Sequence, residues 1–252
     1  MARQYDTEAI LLISRDWGEA DKLLTFFSRE YGKISAVAYG VRRGKNPLRG
    51  YLQPFSWLDL SLGFRKNSNA LDTVQQCAVK QAFRPLREDL QKMAQASMLV
   101  EIVTELWPER EPEPLVFDLL IAAFALLDLR NPRIVAQAAA WQLLGLAGFS
   151  PVCDECVICG APLLFPAYFH AAAGGAVCTE CCSGNLPAYP DAVNQFIQQL
   201  KSLNLSTPEH FSVGRGTFLQ AEQLLFSFLG CRLEKTLKSL SFIQQTGDDN
   251  GL

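Results

Sequence analysis

A thiolate is a soft metal ligand, and four of them close together make a tetrahedral cage for zinc. The stretch from Pro151 to Pro187 reads PVCDECVICGAPLLFPAYFHAAAGGAVCTECCSGNLP and carries six of the chain's eight cysteines. Cys156 and Cys159 form one C-x2-C pair and Cys178 and Cys181 another, with eighteen residues between the pairs. That separation falls in the range of a four-cysteine zinc ribbon. A catalytic zinc keeps one position open for water; four thiolates leave none, so the spacing predicts one structural Zn2+. Alternatives remain: Cys153 makes a second C-x2-C with Cys156, Cys182 adjoins Cys181, and His170 lies between the pairs as a fallback ligand. Gly160 follows the first pair, where a knuckle must turn sharply, and two C-x2-C pairs then repeat, which favours Cys156 and Cys159. Disulfides are the competing chemistry. The N-terminus MARQYDTEAILLISRDW lacks the charged and apolar regions of a secretory signal, so a reducing cytoplasm and metal binding are expected.

A second stretch could bind phosphate. Between Tyr31 and Leu58 there is no acidic residue, but there are Lys33, Arg42, Arg43, Lys45 and Arg49. Four of these lie in GVRRGKNPLRG, where glycines and Pro47 are expected to exclude regular structure. A flexible basic loop suits nucleic acid, whose charge repeats at every nucleotide. Trp17, Tyr39, Tyr51 and Phe55 lie near it in sequence and are of a type that stacks on bases, although a strand aromatic more often packs in a core. Phe26 and Phe27 are adjacent in a strand, so one is expected to face the core and one the outside. The charge is also uneven. Residues 1–80 hold 12 Lys/Arg against 8 Asp/Glu, a net of +4, and residues 81–252 hold 11 against 18, a net of −7. The first part is suited to a polyanion and the second to proteins.

Other chemistries find no support. There is no G-x4-G-K-[ST] phosphate loop and no G-x-S-x-G elbow. The two histidines, His170 and His210, have no recognisable catalytic surroundings, so a binding protein is expected rather than an enzyme. No run of eighteen uninterrupted apolar residues occurs, so no membrane span is expected. The competing readings are a zinc-stabilised interaction scaffold without a DNA role, or an enzyme using zinc or thiols.

Hydrophobic periodicity supplies the elements that must carry these sites. Thr7–Ser14, Lys22–Ser28, Lys33–Tyr39, Gln53–Leu62 and Ala70–Val79 read as five short strands, with RDWGEAD as a turn, and suggest a small barrel. The period then changes. Helices are predicted over Leu86–Trp107, Leu115–Leu129, Arg133–Ala147, Asp191–Leu203, Thr217–Leu229 and Glu234–Phe242. The division expected is a barrel at 1–80 and a helical domain at 81–245, interrupted by the zinc segment at 151–187. A disordered tail is expected at 246–252. The insert has little core of its own, so metal would hold its two knuckles together.

The segments SRDWGEADKLLTFFSREYGKISAVAYGVRRGKNPLRGYLQPF, LLGLAGFSPVCDECVICG and GGAVCTEC carry a resemblance. On these the chain resembles the RecO family of bacterial recombination mediators and DNA repair proteins, over nearly its whole length. The resemblance implies an α+β architecture: an N-terminal OB-fold β-barrel, then an α-helical domain with an inserted four-cysteine zinc ribbon. It implies binding of single- and double-stranded DNA and annealing of complementary strands. It implies partnership with RecR and the single-stranded-DNA-binding protein, RecA loading downstream, and a place at the bacterial nucleoid. In the family pattern the first zinc pair follows a proline by five residues; Pro151 and Cys156 match, leaving Cys153 to pack. One feature departs. Some relatives meet the acidic tail of the single-stranded-DNA-binding protein with basic residues on the helix before the zinc site, and here that helix, RIVAQAAAWQLLGLAG, has only Arg133.

Overall fold

The structure is a computed structural model and describes residues 3–44, 46, 48–64, 71–207 and 212–246. Five strands close into a barrel: β1 (Arg3–Trp17), β2 (Asp21–Ser28), β3 (Gly32–Ala38), β4 (Trp57–Phe64) and β5 (Asp72–Gln81), in the order β1-β2-β3-β5-β4. Neighbours are antiparallel except β3 and β5, whose parallel pairing of Ala36 with Asp72 and Val37 with Thr73 closes the ring. The segment RDWGEAD is therefore not a turn throughout: β1 runs through Arg15, Asp16 and Trp17, pairing Trp17 with Asp21. A long β1 can pair with β4 at one end and β2 along the other because a bulge between Leu11 and Ile13 bends it.

Alternation places Leu11, Leu24, Phe26, Ile34, Ala36, Leu58, Leu60 and Leu62 inside the barrel. Outward-facing Ile10, Leu12 and Phe27 are nevertheless buried, because they pack into the core of the helical half. Phe26 thus faces the barrel interior and Phe27 outward, as expected, but both lack solvent exposure. The barrel wall is itself half of an interior. Phe55, held at φ 71 before β4, adds to this seam with its ring 5.5 Å from that of Phe124.

A short helix α1 (Leu48–Tyr51) forms within the stretch expected to be irregular. The helix predicted over 86–107 is two: α2 (Pro85–Glu88) and α3 (Leu90–Leu106), split at Asp89. Asp89 is extended, and its carboxylate accepts from the Gln91 and Lys92 N–H groups, so it caps α3 rather than continuing α2. Next come α4 (Pro114–Leu129) and α5 (Pro132–Leu146), each opened by its proline, then α6 (Asp191–Ser202) and α7 (Arg215–Arg232). The last helix, α8 (Lys238–Thr246), starts four residues later than Glu234 because α7 continues to Arg232. Helix α5 is apolar nearly all round, with Val135, Ala136, Ala138, Ala139, Ala140, Trp141, Leu143 and Leu144 buried, which fits a central helix packed on several sides.

Between α5 and α6 lies a three-stranded sheet of β6 (Ala167–His170), β7 (Gly175–Cys178) and β8 (Ala188–Tyr189), in the order β7-β6-β8. It does not stand apart as a coreless insert. Ala167, Phe169, Ala176 and Tyr189 join the helical core, and the Phe169 ring lies 6.0 Å from that of Phe228 on α7.

The loop between α3 and α4 ties barrel to helices. Arg110 N donates to Lys33 O at 2.9 Å, and the Lys33 ammonium donates to Thr104 O at 2.6 Å. Arg110 reaches Asp72, whose side chain is wholly buried and also accepts from the Tyr5 hydroxyl. Gly32, at φ +64, is required here: a Cβ would stand 2.0 Å from Glu111 O.

Candidate metal centre and nucleic-acid interface

Cys156 and Cys159 sit on a tight turn at the start of the ribbon. Cys156 N donates to Ala161 O and Gly160 N donates to Cys156 O, both at 2.8 Å. Gly160 takes φ +71, the left-handed conformation the knuckle needs. Cys178 ends β7, and Cys181 lies in the turn after it. The segment carrying the first pair lies along β7, with Ala176 N donating to Val152 O at 2.8 Å and Val157 N to Ala176 O at 2.9 Å, and this brings the two pairs together. The four sulfurs of Cys156, Cys159, Cys178 and Cys181 lie within 4.8 Å of one another, with Cys159 Sγ and Cys178 Sγ 4.0 Å apart. Tetrahedral zinc with about 2.3 Å bonds needs sulfurs ~3.8 Å apart, so the cluster fits the ion.

The charges fit as well. Burial raises the Cys156 pKa, but N–H donors from Cys178, Cys159 and Ile158 outweigh it and pull the thiol down to about 6. Cys178 N stands 3.4 Å from its sulfur. Cys181 is pushed up to about 12, first by hydrogen bonding with the Cys159 and Cys178 sulfurs and then by burial. Four sulfurs this close cannot all carry charge unless a cation sits among them.

The alternative ligands lie elsewhere. Cys153 is buried in the helical core, its thiol pKa raised by burial, and so packs. Cys182 and His170 are outside the cluster, His170 Nδ1 accepting from Ala173 N at 3.3 Å. His210 lies outside the described residues.

The basic residues divide. Arg42, Arg43 and Arg49 are exposed at one end of the barrel, while Lys45 and Pro47 fall outside the described residues. Lys33 is not with them: it points into the seam at Thr104, and burial lowers its pKa. The loop is less free of acid in space than in sequence. Asp16, from the end of β1, lies 3.4 Å from the Arg42 guanidinium, which also donates to Gly18 O at 3.2 Å. Arg42 N donates to Ala20 O and Gly40 N to Asp21 Oδ1, so the loop is pinned to the β1–β2 hairpin. Arg43 and Arg49 meet no carboxylate among the described residues. Trp17, Tyr39 and Tyr51 are exposed nearby, whereas Phe55 is buried in the seam. A separate surface of the barrel carries Asp6, Glu8, Glu30 and Asp59, with Lys80 paired to Glu8 and Asp59.

Helix α5 offers no free cation. Arg133 is buried at its start, in a bidentate pair with Glu222 of α7 and 4.9 Å over the Phe218 ring. Sequence reading had no signal for this pair, since Glu222 is 89 residues away.

No helix among the described residues is long and apolar enough to cross a membrane. Two family models cover most of the chain: Recombination protein O N terminal matches residues 1–83, and Recombination protein O C terminal matches residues 87–241. Similar curated proteins are each named DNA repair protein RecO. That of Pelotomaculum thermopropionicum is 35% identical, covering 96% of this chain and 94% of its own length. That of Myxococcus xanthus is 34% identical, covering 98% and 99%. That of Moorella thermoacetica is 32% identical, covering 98% and 92%. With both halves matched in order, the chain belongs to the RecO, or recombination protein O, family.

Proposed function

We propose that this protein is a DNA repair and recombination mediator that works without catalytic turnover. It binds single- and double-stranded DNA, anneals complementary strands, and with RecR helps RecA load onto single strands in the bacterial cytoplasm. The observation that carries this is the polarity of the barrel: exposed Arg42, Arg43 and Arg49 at one end, and the acids Asp6, Glu8 and Asp59 on another side. Cationic loops on a small barrel displace condensed counterions from a strand. Family membership supports it through relatives named as DNA repair proteins.

Cys156, Cys159, Cys178 and Cys181 would hold one zinc, which supplies a structural cross-link between the two knuckles. A contact with the acidic tail of the single-stranded-DNA-binding protein would have to use cations other than Arg133, whose charge is already matched by Glu222.

The test is binding of labelled oligonucleotide across a salt series, with strand annealing measured with and without the cognate single-stranded-DNA-binding protein. Each single-strand phosphate contact contributes about −0.7 to the slope of log K against log salt. Arg42→Ala with Arg43→Ala should make that slope shallower by roughly 1.4 and lower annealing in parallel, with zinc content unchanged. Unchanged affinity and slope would leave the loop an ordinary solvated surface.

A further inference from the structure

Two exposed aromatics lie at the same end of the barrel, Trp17 at the end of β1 and Tyr39 just after β3. Asp16, Lys22 and Ala38 form one row across β1, β2 and β3, and Ala38 faces the barrel interior. Trp17, opposite Asp21 in the next row, has the opposite parity and faces outward; Tyr39 follows Ala38 in the turn after β3, which Gly40 N ties to Asp21 Oδ1. Trp17 is 50% exposed and Tyr39 51%, although aromatics of this size bury readily when a core is available. Elsewhere on the outer wall Ile10, Leu12 and Phe27 are covered by the helical half; this end is not. Asp21, paired with Trp17, is occupied in accepting from Gly40 N at 2.7 Å. Two inter-strand spacings separate the rows' outer strands, about 10 Å between the backbones carrying the rings.

We propose that Trp17 and Tyr39 are a stacking platform for unpaired bases of a DNA single strand, whose phosphates lie along Arg42, Arg43 and the exposed Arg15. This deepens, and rests on, the DNA-binding reading above. A strand suits this surface better than a protein does because its two chemistries match the two here. Flat apolar rings meet flat bases, and the adjoining guanidinium groups meet phosphates. A span of about 10 Å is roughly three nucleotide rises, and about four nucleotides is the lower end of what one such barrel engages. The platform gives the barrel a preference for single strands, because duplex bases are already stacked and show only their edges.

The full-length protein provides its own probe. Trp57 is half-buried, and Trp107 and Trp141 are buried, so Trp17 is the one half-exposed tryptophan of the four. An oligothymidylate should quench its emission, and Trp17→Phe should abolish the quench while keeping affinity within a few-fold of wild type. Trp17→Ala and Tyr39→Ala should each weaken oligothymidylate binding roughly 5- to 150-fold, as loss of one stacked base does. The salt slope should stay at the wild-type value, because no phosphate contact is removed, and blunt-duplex affinity should stay unchanged. Thermal unfolding should match wild type, which separates lost stacking from lost fold. If wild type and the Arg42/Arg43 variants behave as proposed above but Trp17→Ala and Tyr39→Ala bind like wild type, the platform is refuted and the surface is left to a protein partner. Equal losses on single strand and duplex refute it too. If wild type fails to bind DNA at all, the DNA-binding reading itself has failed and the platform with it.

Discussion

At the residue scale, the six clustered cysteines have different fates that spacing alone did not fix. Cys→Ser at Cys156, Cys159, Cys178 or Cys181 should remove metal, measured as zinc per chain, and destabilise the C-terminal half. Cys182→Ser, Cys77→Ser and Cys231→Ser should leave zinc at one per chain. Cys153→Ser should also keep the metal, because Cys153 lies outside the four-sulfur cluster and its side chain hydrogen-bonds to Tyr189 instead. Among the arginines, Arg43 and Arg49 are the freer cations, since Arg42 already has Asp16 and the Gly18 carbonyl as partners. Arg43→Ala is therefore expected to reduce DNA affinity more than Arg42→Ala in the same salt titration.

At the element scale, two contacts fix how helices sit on each other and on the barrel. Arg133 and Glu222 lock the start of α5 to α7 from 89 residues apart. Removing one member of such a buried pair strands the other charge, so Glu222→Ala should lower unfolding free energy by about 3–5 kcal/mol; replacing both residues by apolar ones should restore part of it. The α3–α4 loop is the second lock, with Arg110 on Asp72 and Gly32 against Glu111. Gly32→Ala must both adopt φ +64 and displace the Glu111 carbonyl, so a loss exceeding about 2 kcal/mol is expected on chemical denaturation. A near-neutral result would show that the loop can lift off the barrel.

At the scale of the whole molecule, barrel, helices and ribbon share one interior. Ile10, Leu12 and Phe27 of the barrel and Phe169 and Tyr189 of the ribbon belong to the same cluster as the helices. Unfolding should therefore be a single cooperative transition, with far-UV circular dichroism and tryptophan emission coinciding. Phe27→Ala, although outside the barrel, should cost about 3–5 kcal/mol, as deep core truncations do. Chelating the metal should lower the midpoint of that one transition rather than melt the ribbon alone, because Phe169 and Tyr189 tie the ribbon to the shared interior.

The chemistry-bearing residues were legible in the chain because they are local. C-x2-C pairs, a glycine after the first, and a run of arginines bounded by glycines need only neighbours in sequence to be seen. Alternation and helical period likewise marked the five strands and most helix spans. What needed the tertiary structure was everything decided between distant segments. Nothing local says that Phe27 is covered by helices, that Asp16 reaches Arg42, or that Glu222 consumes the one cation of α5. The split at Asp89 was missed because Leu86 and Leu90 keep the same apolar spacing across a residue whose carboxylate caps the next helix. The choice of Cys156 over Cys153 was supported by sequence, but only the fold shows why: hydrogen bonds of Val152 and Val157 with Ala176 of β7 set the four sulfurs face to face, while Cys153 is buried in the core. Local pattern selects which residues can do chemistry, and packing over long separations selects which of them are free to.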